Sequence, residues 1–151
     1  MTYHALRGEG TEVSTDPSLL DISLIHGFLS SCYWAGGIPR EIVERSIRGS
    51  LCFGAYRGGA QIGFARVISD RATYAYVADV FVLEPHRGKG VGRLLMKCIM
   101  TYPELQGMRR WSLLTRDAHG LYRQFGFGAP HHRSGTWKSA IPTSTGTRHH
   151  E

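Results

Sequence analysis

Apolar and polar positions along the chain change period several times, and each change marks an element. Residues 17–32 (PSLLDISLIHGFLSSC) predict a first helix, with Asp16 as its N-cap and Pro17 at the first helical position. Gly36-Gly37 ends it, and Pro39 opens a second helix through Arg48, with Ile42, Val43 and Ile47 on one face. Leu51–Tyr56 and Gln61–Ile68 read as two strands joined by Arg57-Gly58-Gly59, a hairpin signal. A longer β-rich run, Tyr74–Leu83, stops at Glu84-Pro85. From Gly90 the period becomes helical: Val91, Leu94, Leu95, Cys98 and Ile99 fall at i, i+3, i+4, i+7 and i+8. Trp111–Thr115 is a short strand. Asp117 is placed to cap a last helix, Ala118–Phe125, and Gly135–Ala140 reads as a final strand. Residues 142–151 are expected to form a weakly structured tail.

The predicted order is helix, helix, three strands, helix, strand, helix, strand. It describes a mixed α/β domain that begins with an antiparallel meander. A doubly wound sheet would alternate strand and helix from its start, so that class is disfavoured. At 151 residues and 42% apolar, the chain suits one domain with a sizeable core.

The formal charge is +6, and arginine supplies 15 of the 18 basic residues. Such a balance favours an anionic partner: nucleic acid, acidic lipid or a phosphate-rich cofactor. The arginines are scattered from Arg7 to Arg148 and form no basic stripe, which argues against a nucleic-acid-binding module. No apolar run approaches the ~20 residues of a membrane span, and the N-terminus lacks the apolar core of a secretory signal. The expected location is the cytoplasm. Cys32, Cys52 and Cys98 are odd in number, include no CxxC, and read as reduced thiols packed like small hydrophobes. The His131-His132 and His149-His150 pairs lack ligand partners at useful spacing, so no metal is expected.

The most informative stretch is Arg87-Gly88-Lys89-Gly90-Val91-Gly92-Arg93, between a strand and an amphipathic helix. A helix start offers unpaired N–H groups and the positive end of the dipole, which suits a pyrophosphate. Glycines allow the backbone to come close to it. Lys89 is followed by Gly90 rather than Ser or Thr, so this is no Walker A loop. Leu95 occupies the third glycine position of a dinucleotide fingerprint, so that pattern fails as well. The pattern [QR]xxGx[GA] is satisfied by Arg87, Gly90 and Gly92.

The segment VADVFVLEPHRGKGVGRLLM resembles the coenzyme A-binding motif of the GNAT acetyltransferases. A second motif of that family, AxxxYxxxGF, is met in register by Ala118, Tyr122, Gly126 and Phe127. The resemblance covers about residues 50–128. It implies a GNAT fold: a mostly antiparallel twisted sheet of six to seven strands, splayed at the cofactor site and flanked by about four helices. It implies acetyl-coenzyme A as co-substrate, with its pyrophosphate on the amides of Gly88, Lys89, Gly90, Val91, Gly92 and Arg93. The pantetheine arm would lie along the backbone of Phe81, Val82 and Leu83.

The implied reaction is attack of an amine on a thioester, which needs a polarised carbonyl and a proton for the departing thiolate. The Val82 N–H is the candidate carbonyl donor and Tyr122 the candidate acid, since a phenol of pKa near ~10 is protonated at neutral pH. Many relatives carry a Glu on the preceding strand. By alternation Tyr76 and Ala78 occupy that face here, and Asp79 should point to the other. Tyr76 and Asp79 are candidate substrate contacts, with capping of a polar network as the alternative for Asp79 and a water chain as the alternative base. Thr115 stands where many relatives have a cofactor-binding Asn. Cys98 lies on the apolar stripe of its helix, which disfavours an acetyl-cysteine route.

In this fold the acceptor cleft lies between the first two helices and the last strands. Tyr33, Trp34 and Arg40 are expected on one side, His131 and Arg133 on the other, and Arg116 beside the last helix. Arginines there would favour an acceptor with a carboxylate or phosphate. Few acids are available for a polyamine. The expected acceptor is a small-molecule primary amine, with a protein or peptide amine, or binding without catalysis, as alternatives. A homodimer is left open.

Overall fold

The computed structural model describes residues 5–115, 118–128 and 137–142. Seven strands form one sheet in chain order: β1 (Ala5–Gly8), β2 (Thr11–Ser14), β3 (Leu51–Arg57), β4 (Ala60–Ser69), β5 (Tyr74–Val82), β6 (Arg110–Thr115) and β7 (Trp137–Pro142). Neighbours from β1 to β5 are antiparallel, whereas β5–β6 and β6–β7 are parallel. Helices α1 (Ile22–Ser31) and α2 (Arg40–Arg48) connect β2 to β3, α3 (Val91–Thr101) connects β5 to β6, and α4 (His119–Arg123) follows β6.

Both faces of the sheet are covered. On one, Phe53, Val77 and Trp111 pack with Leu95, Met96 and Ile99 of α3. On the other, Phe64 and Phe81 pack with Ile25 and Leu29 of α1 and Val43 of α2. A strand buried on both faces needs apolar or small residues at nearly every position, and LCFGAY in β3 is buried throughout. Each large side chain so buried contributes about 1.5–3 kcal/mol through removal of apolar area from water.

Several expectations need correction. The single helix expected over 17–32 is two elements. Asp16 does accept from the Ser18 N–H, at 2.9 Å, but closes only a 3-10 turn, Pro17–Leu19. Leu20 is extended, and Asp21 caps α1 by accepting from the Leu24 N–H at 3.0 Å. The Asp21 N–H donates to Gln61 Oε1, tying this second start to β4. The N-terminal hairpin β1–β2 is absent from the periodicity reading. Its strands have four residues each, and its Glu9-Gly10 corner takes two positive φ values, 51° and 80°. Four residues hold too little alternation to register as a strand. The last helix begins at His119 rather than Ala118, and its first turn is met from upstream: Thr115 Oγ1 accepts from the Ala118 N–H at 3.0 Å. Asp117, expected as that cap, lies outside the described residues, as does the tail after Pro142.

One irregularity shapes the site. In the β4–β5 ladder Phe64 pairs with Phe81 but Arg66 pairs with Ala78, so β5 carries one extra residue. Asp79, at φ 54°, sits in this bulge. A bulge reverses the inward–outward alternation of its strand. Ala75 and Val77 face α3 before it, and Val80 and Val82 face the same cluster after it.

Candidate active site

β5 and β6 pair only over Tyr74–Val77 and Arg110–Leu113. Beyond that point they separate, and the remainder of β5 runs free of β6 to Val82. A cleft of about 690 Å³ opens in this splay. It passes from the α3–α4 face of the sheet, where Val82, Gly92, Leu121 and Tyr122 border it, to the α1 face, where Phe28, Tyr33, Trp34 and Tyr76 do.

Not all of the Phe81–Leu83 backbone is available there. The Leu83 N–H donates to Ile62 O at 2.8 Å, so it is spent within the sheet. Phe81 stands opposite Phe64, two residues along the same antiparallel ladder. Alternation of bonded and non-bonded pairs then turns the intervening Val82 N–H away from β4, toward the splay. Of the three residues expected along a pantetheine arm, Val82 alone presents its backbone to the cleft. Phe81 contributes packing, its ring stacked on Phe28 at 4.0 Å. The Val82 carbonyl accepts from Arg87 Nε at 2.8 Å, which folds the turn back onto the strand end.

The turn itself is built by conformation. Gly88 and Gly90 have φ of 75° and 80°, and Gly90 is the N-cap of α3, with no side chain bonding the first amides. The initial N–H groups of a helix lack intrahelical acceptors, and here no capping side chain competes with a ligand for them. A Cβ on Gly92 would stand 3.4 Å from Leu121 and 3.9 Å from Val82, in ordinary contact with both at the cleft edge. The Val91 side chain is in the core, which leaves only its backbone to a ligand, while Lys89 and Arg93 are exposed. An uncapped helix start beside a strand with one outward amide fits a pyrophosphate on a pantetheine arm.

Tyr122 is buried on the cleft wall, edge-on to Phe127 at 6.3 Å. Thr115 also borders the cleft, but its hydroxyl serves the start of α4.

On the α1 face the structure corrects two expectations. Asp79 does not point away from Tyr76, because the bulge carries both into the cleft. Its Oδ1 accepts from Trp34 Nε1 at 3.0 Å and its Oδ2 from Arg66 Nε at 2.9 Å. Arg40 is not a cleft residue. It opens α2 and lies along the helices, donating to Glu44 Oε1 and Ser23 Oγ, each at 3.0 Å. Arg116, His131 and Arg133 lie outside the described residues. Burial raises the Tyr76 phenol above its ordinary value, with the neighbouring Tyr74 and Asp79 adding to the shift.

Phe28, Cys32 and Val80 border the cleft without having been expected there. The stripe Ile25, Phe28, Leu29, Cys32 at helical spacing marks them as facing the sheet. Which end of the stripe meets an opening depends on the bulge, which alternation alone does not reveal.

Comparison with known proteins identifies the family and the fold. The family described as "Acetyltransferase (GNAT) domain" matches residues 48–128. A protein of Gibberella zeae, provisionally named an acetyltransferase, is 35% identical over 133 residues, covering 73% of this chain and 74% of its own. A crystal structure from Xanthomonas campestris assigned to the GNAT family is 51% identical, with a TM-score of 0.80, and covers 86% of this chain and 96% of that one. A GNAT acetyltransferase from Elizabethkingia anophelis, solved with acetyl-CoA bound, shares the fold at 15% identity and a TM-score of 0.52, over 62% and 63% of the two chains. The bulged and splayed sheet, the glycine turn opening α3 and these matches together show that the chain belongs to the GNAT acetyltransferase family.

Proposed function

We propose that this protein transfers an acetyl group from acetyl-coenzyme A to a primary amine of a small molecule, by direct attack in a ternary complex, in the cytoplasm. The observation that carries this reading is the continuous cleft through the splay. It joins the uncapped start of α3 on one sheet face to an aromatic-walled chamber on the other.

The amides at the Gly88–Arg93 turn would hold the pyrophosphate, and the outward Val82 backbone would align the pantetheine arm. Acetyl-coenzyme A held there supplies an activated acetyl group, whose C–S bond breaks as the C–N bond forms, with sulfur gaining a proton and the amine losing one. The Val82 N–H faces the splay and is the donor suited to a carbonyl oxygen that gains charge. Tyr122 borders the same wall, and its phenol is the donor suited to the departing sulfur.

A covalent acetyl-cysteine route is disfavoured. Cys98 is buried in the core and burial pushes its thiol up to about 12. Cys32 borders the cleft, but burial raises its thiol as well, and its Sγ donates to Leu29 O. A thiolate is the nucleophile such a route needs.

The test is a screen of amines and amino acids that follows free thiol released from acetyl-coenzyme A. Acceptor-dependent release is expected for at least one amine. Release that no amine accelerates, with acetyl-coenzyme A bound, would leave a binding protein rather than an enzyme.

A further inference from the structure

The α1-side chamber of the cleft has walls of a definite chemistry. Trp34 meets Tyr33 edge-on at 5.0 Å and Phe28 at 6.2 Å, and Phe28 stacks on Phe81. This chain of rings fixes the indole as a preformed surface rather than a mobile one. Its Nε1 is held by Asp79, so both the position and the tilt of the ring are set. Trp34 is nevertheless 40% exposed, and Leu114 of β6, which also borders the cleft, is 48% exposed. Leu114 is two residues from Ser112, whose hydroxyl is bonded to that of Tyr74, so it lies on the same sheet face as Tyr74 and Tyr76. Two large apolar side chains left uncovered inside one concave site mark a surface that an apolar ligand covers.

Charge completes the picture. Among the described residues bordering the cleft, only Asp79 and Arg87 are charged. Arg87 is on the far side, bonded to the Val82 carbonyl. Asp79 has Arg66 as its ion-pair partner, with both side chains about 15% exposed. Each carboxylate oxygen accepts one bond, which leaves each a lone pair. One partly neutralised carboxylate beside aromatic faces can receive a single ammonium head. It offers nothing to the second and third ammonium groups of a polyamine, and Arg66 is engaged by Asp79 and Ser50 rather than open to a phosphate.

Resting on the acetyltransferase reading above, we infer that the acceptor is a primary amine carried on a flat, apolar, aromatic body. Trp34, Tyr33 and Tyr76 are the residues that select it, and Asp79 receives its amine head.

The test compares 2-phenylethylamine, spermidine and glucosamine 6-phosphate as acceptors by thiol release, with direct binding of each followed by calorimetry. Phenylethylamine is expected to show the highest kcat/KM, by about tenfold or more, the scale of one good apolar contact. Trp34→Ala should raise its KM by about tenfold while the affinity for acetyl-coenzyme A stays unchanged. Trp34→Phe keeps a ring but loses the Nε1 bond, and should restore most of the KM. Preferential transfer to spermidine or the sugar phosphate would overturn the inference and leave the acetyltransferase reading standing. Absence of saturable phenylethylamine binding, or an unchanged KM in Trp34→Ala, would overturn it too. Failure of acetyl-coenzyme A itself to bind would instead remove the underlying reading.

Discussion

Arg66 Nε lies 2.9 Å from Asp79 Oδ2, across the bulge that turns β5 into the cleft, and Arg66 Nη1 reaches Ser50 Oγ at the same distance. Aspartate is one of the few side chains tolerated in the left-handed region, and this one is held there at φ 54° by two donors. Removing one partner of a poorly solvated pair strands the other charge. Asp79→Asn keeps the backbone preference but loses the ion pair, and should cost about 3 kcal/mol in urea unfolding. Adding Arg66→Met should return part of that loss, because the stranded cation is then gone. A purely additive pair of losses would mean that the two side chains do not interact.

Gly90 and Gly92 make opposite demands. At φ 80°, Gly90→Ala should destabilise the fold by roughly 1–2 kcal/mol and also weaken acetyl-coenzyme A binding. Gly92 is inside α3, where alanine has the better helix propensity by about 1 kcal/mol. A Cβ there would be in ordinary contact with Leu121, at the cleft edge. Gly92→Ala should therefore keep or raise Tm while lowering cofactor affinity. Differential scanning fluorimetry with and without acetyl-coenzyme A separates the two.

Tyr122→Phe removes one hydroxyl from a buried ring. If Tyr122 supplies the proton for the departing sulfur, kcat should fall by ~10²–10⁴-fold with acetyl-coenzyme A affinity nearly unchanged. A structural tyrosine would give the reverse pattern, a lower Tm with kcat near wild type. Steady-state kinetics and a melting curve on the same sample decide.

The thiols are separable by burial. Cys52 and Cys98 are both pushed up to about 12, so neither carries appreciable thiolate at neutral pH. Cys32, at the cleft wall, is only partly buried, and burial raises its thiol as well. The native protein should react slowly with one equivalent of a disulfide reagent at about pH 8, and with all three cysteines once unfolded. Two fast-reacting thiols in the native state would contradict the packing described.

The central part of the fold was legible because its signals are local and strong. The apolar runs of β3 and β4 on either side of Arg57-Gly58-Gly59, the 3.6-residue stripe from Val91 to Ile99 and the glycines at 88, 90 and 92 each identify an element without tertiary information. The site's location, though not the role of any residue in it, was legible at Gly90, which opens α3, and at Tyr122, which borders the cleft. It was not legible where pairing decides the outcome. The extra residue at Asp79 is defined only against β4. The sequence points to Val82 as a donor, but that Phe81 and Leu83 turn their amides into the sheet depends on which pairs in that ladder are bonded. Arg40 looked available because sequence alone does not show that α1 brings Ser23 within reach of it.

The central claim is that the Arg87–Arg93 turn and the splayed end of β5 together hold a pyrophosphate-linked acetyl thioester. Its most direct test is calorimetric titration of the purified protein with acetyl-coenzyme A and, separately, with S-acetylpantetheine, which has the same thioester and arm but no pyrophosphate. Saturable binding of acetyl-coenzyme A is expected, with an affinity for the fragment lower by at least about a hundredfold, the scale of two or more charge-assisted hydrogen bonds. Equal affinity for the two ligands would contradict it.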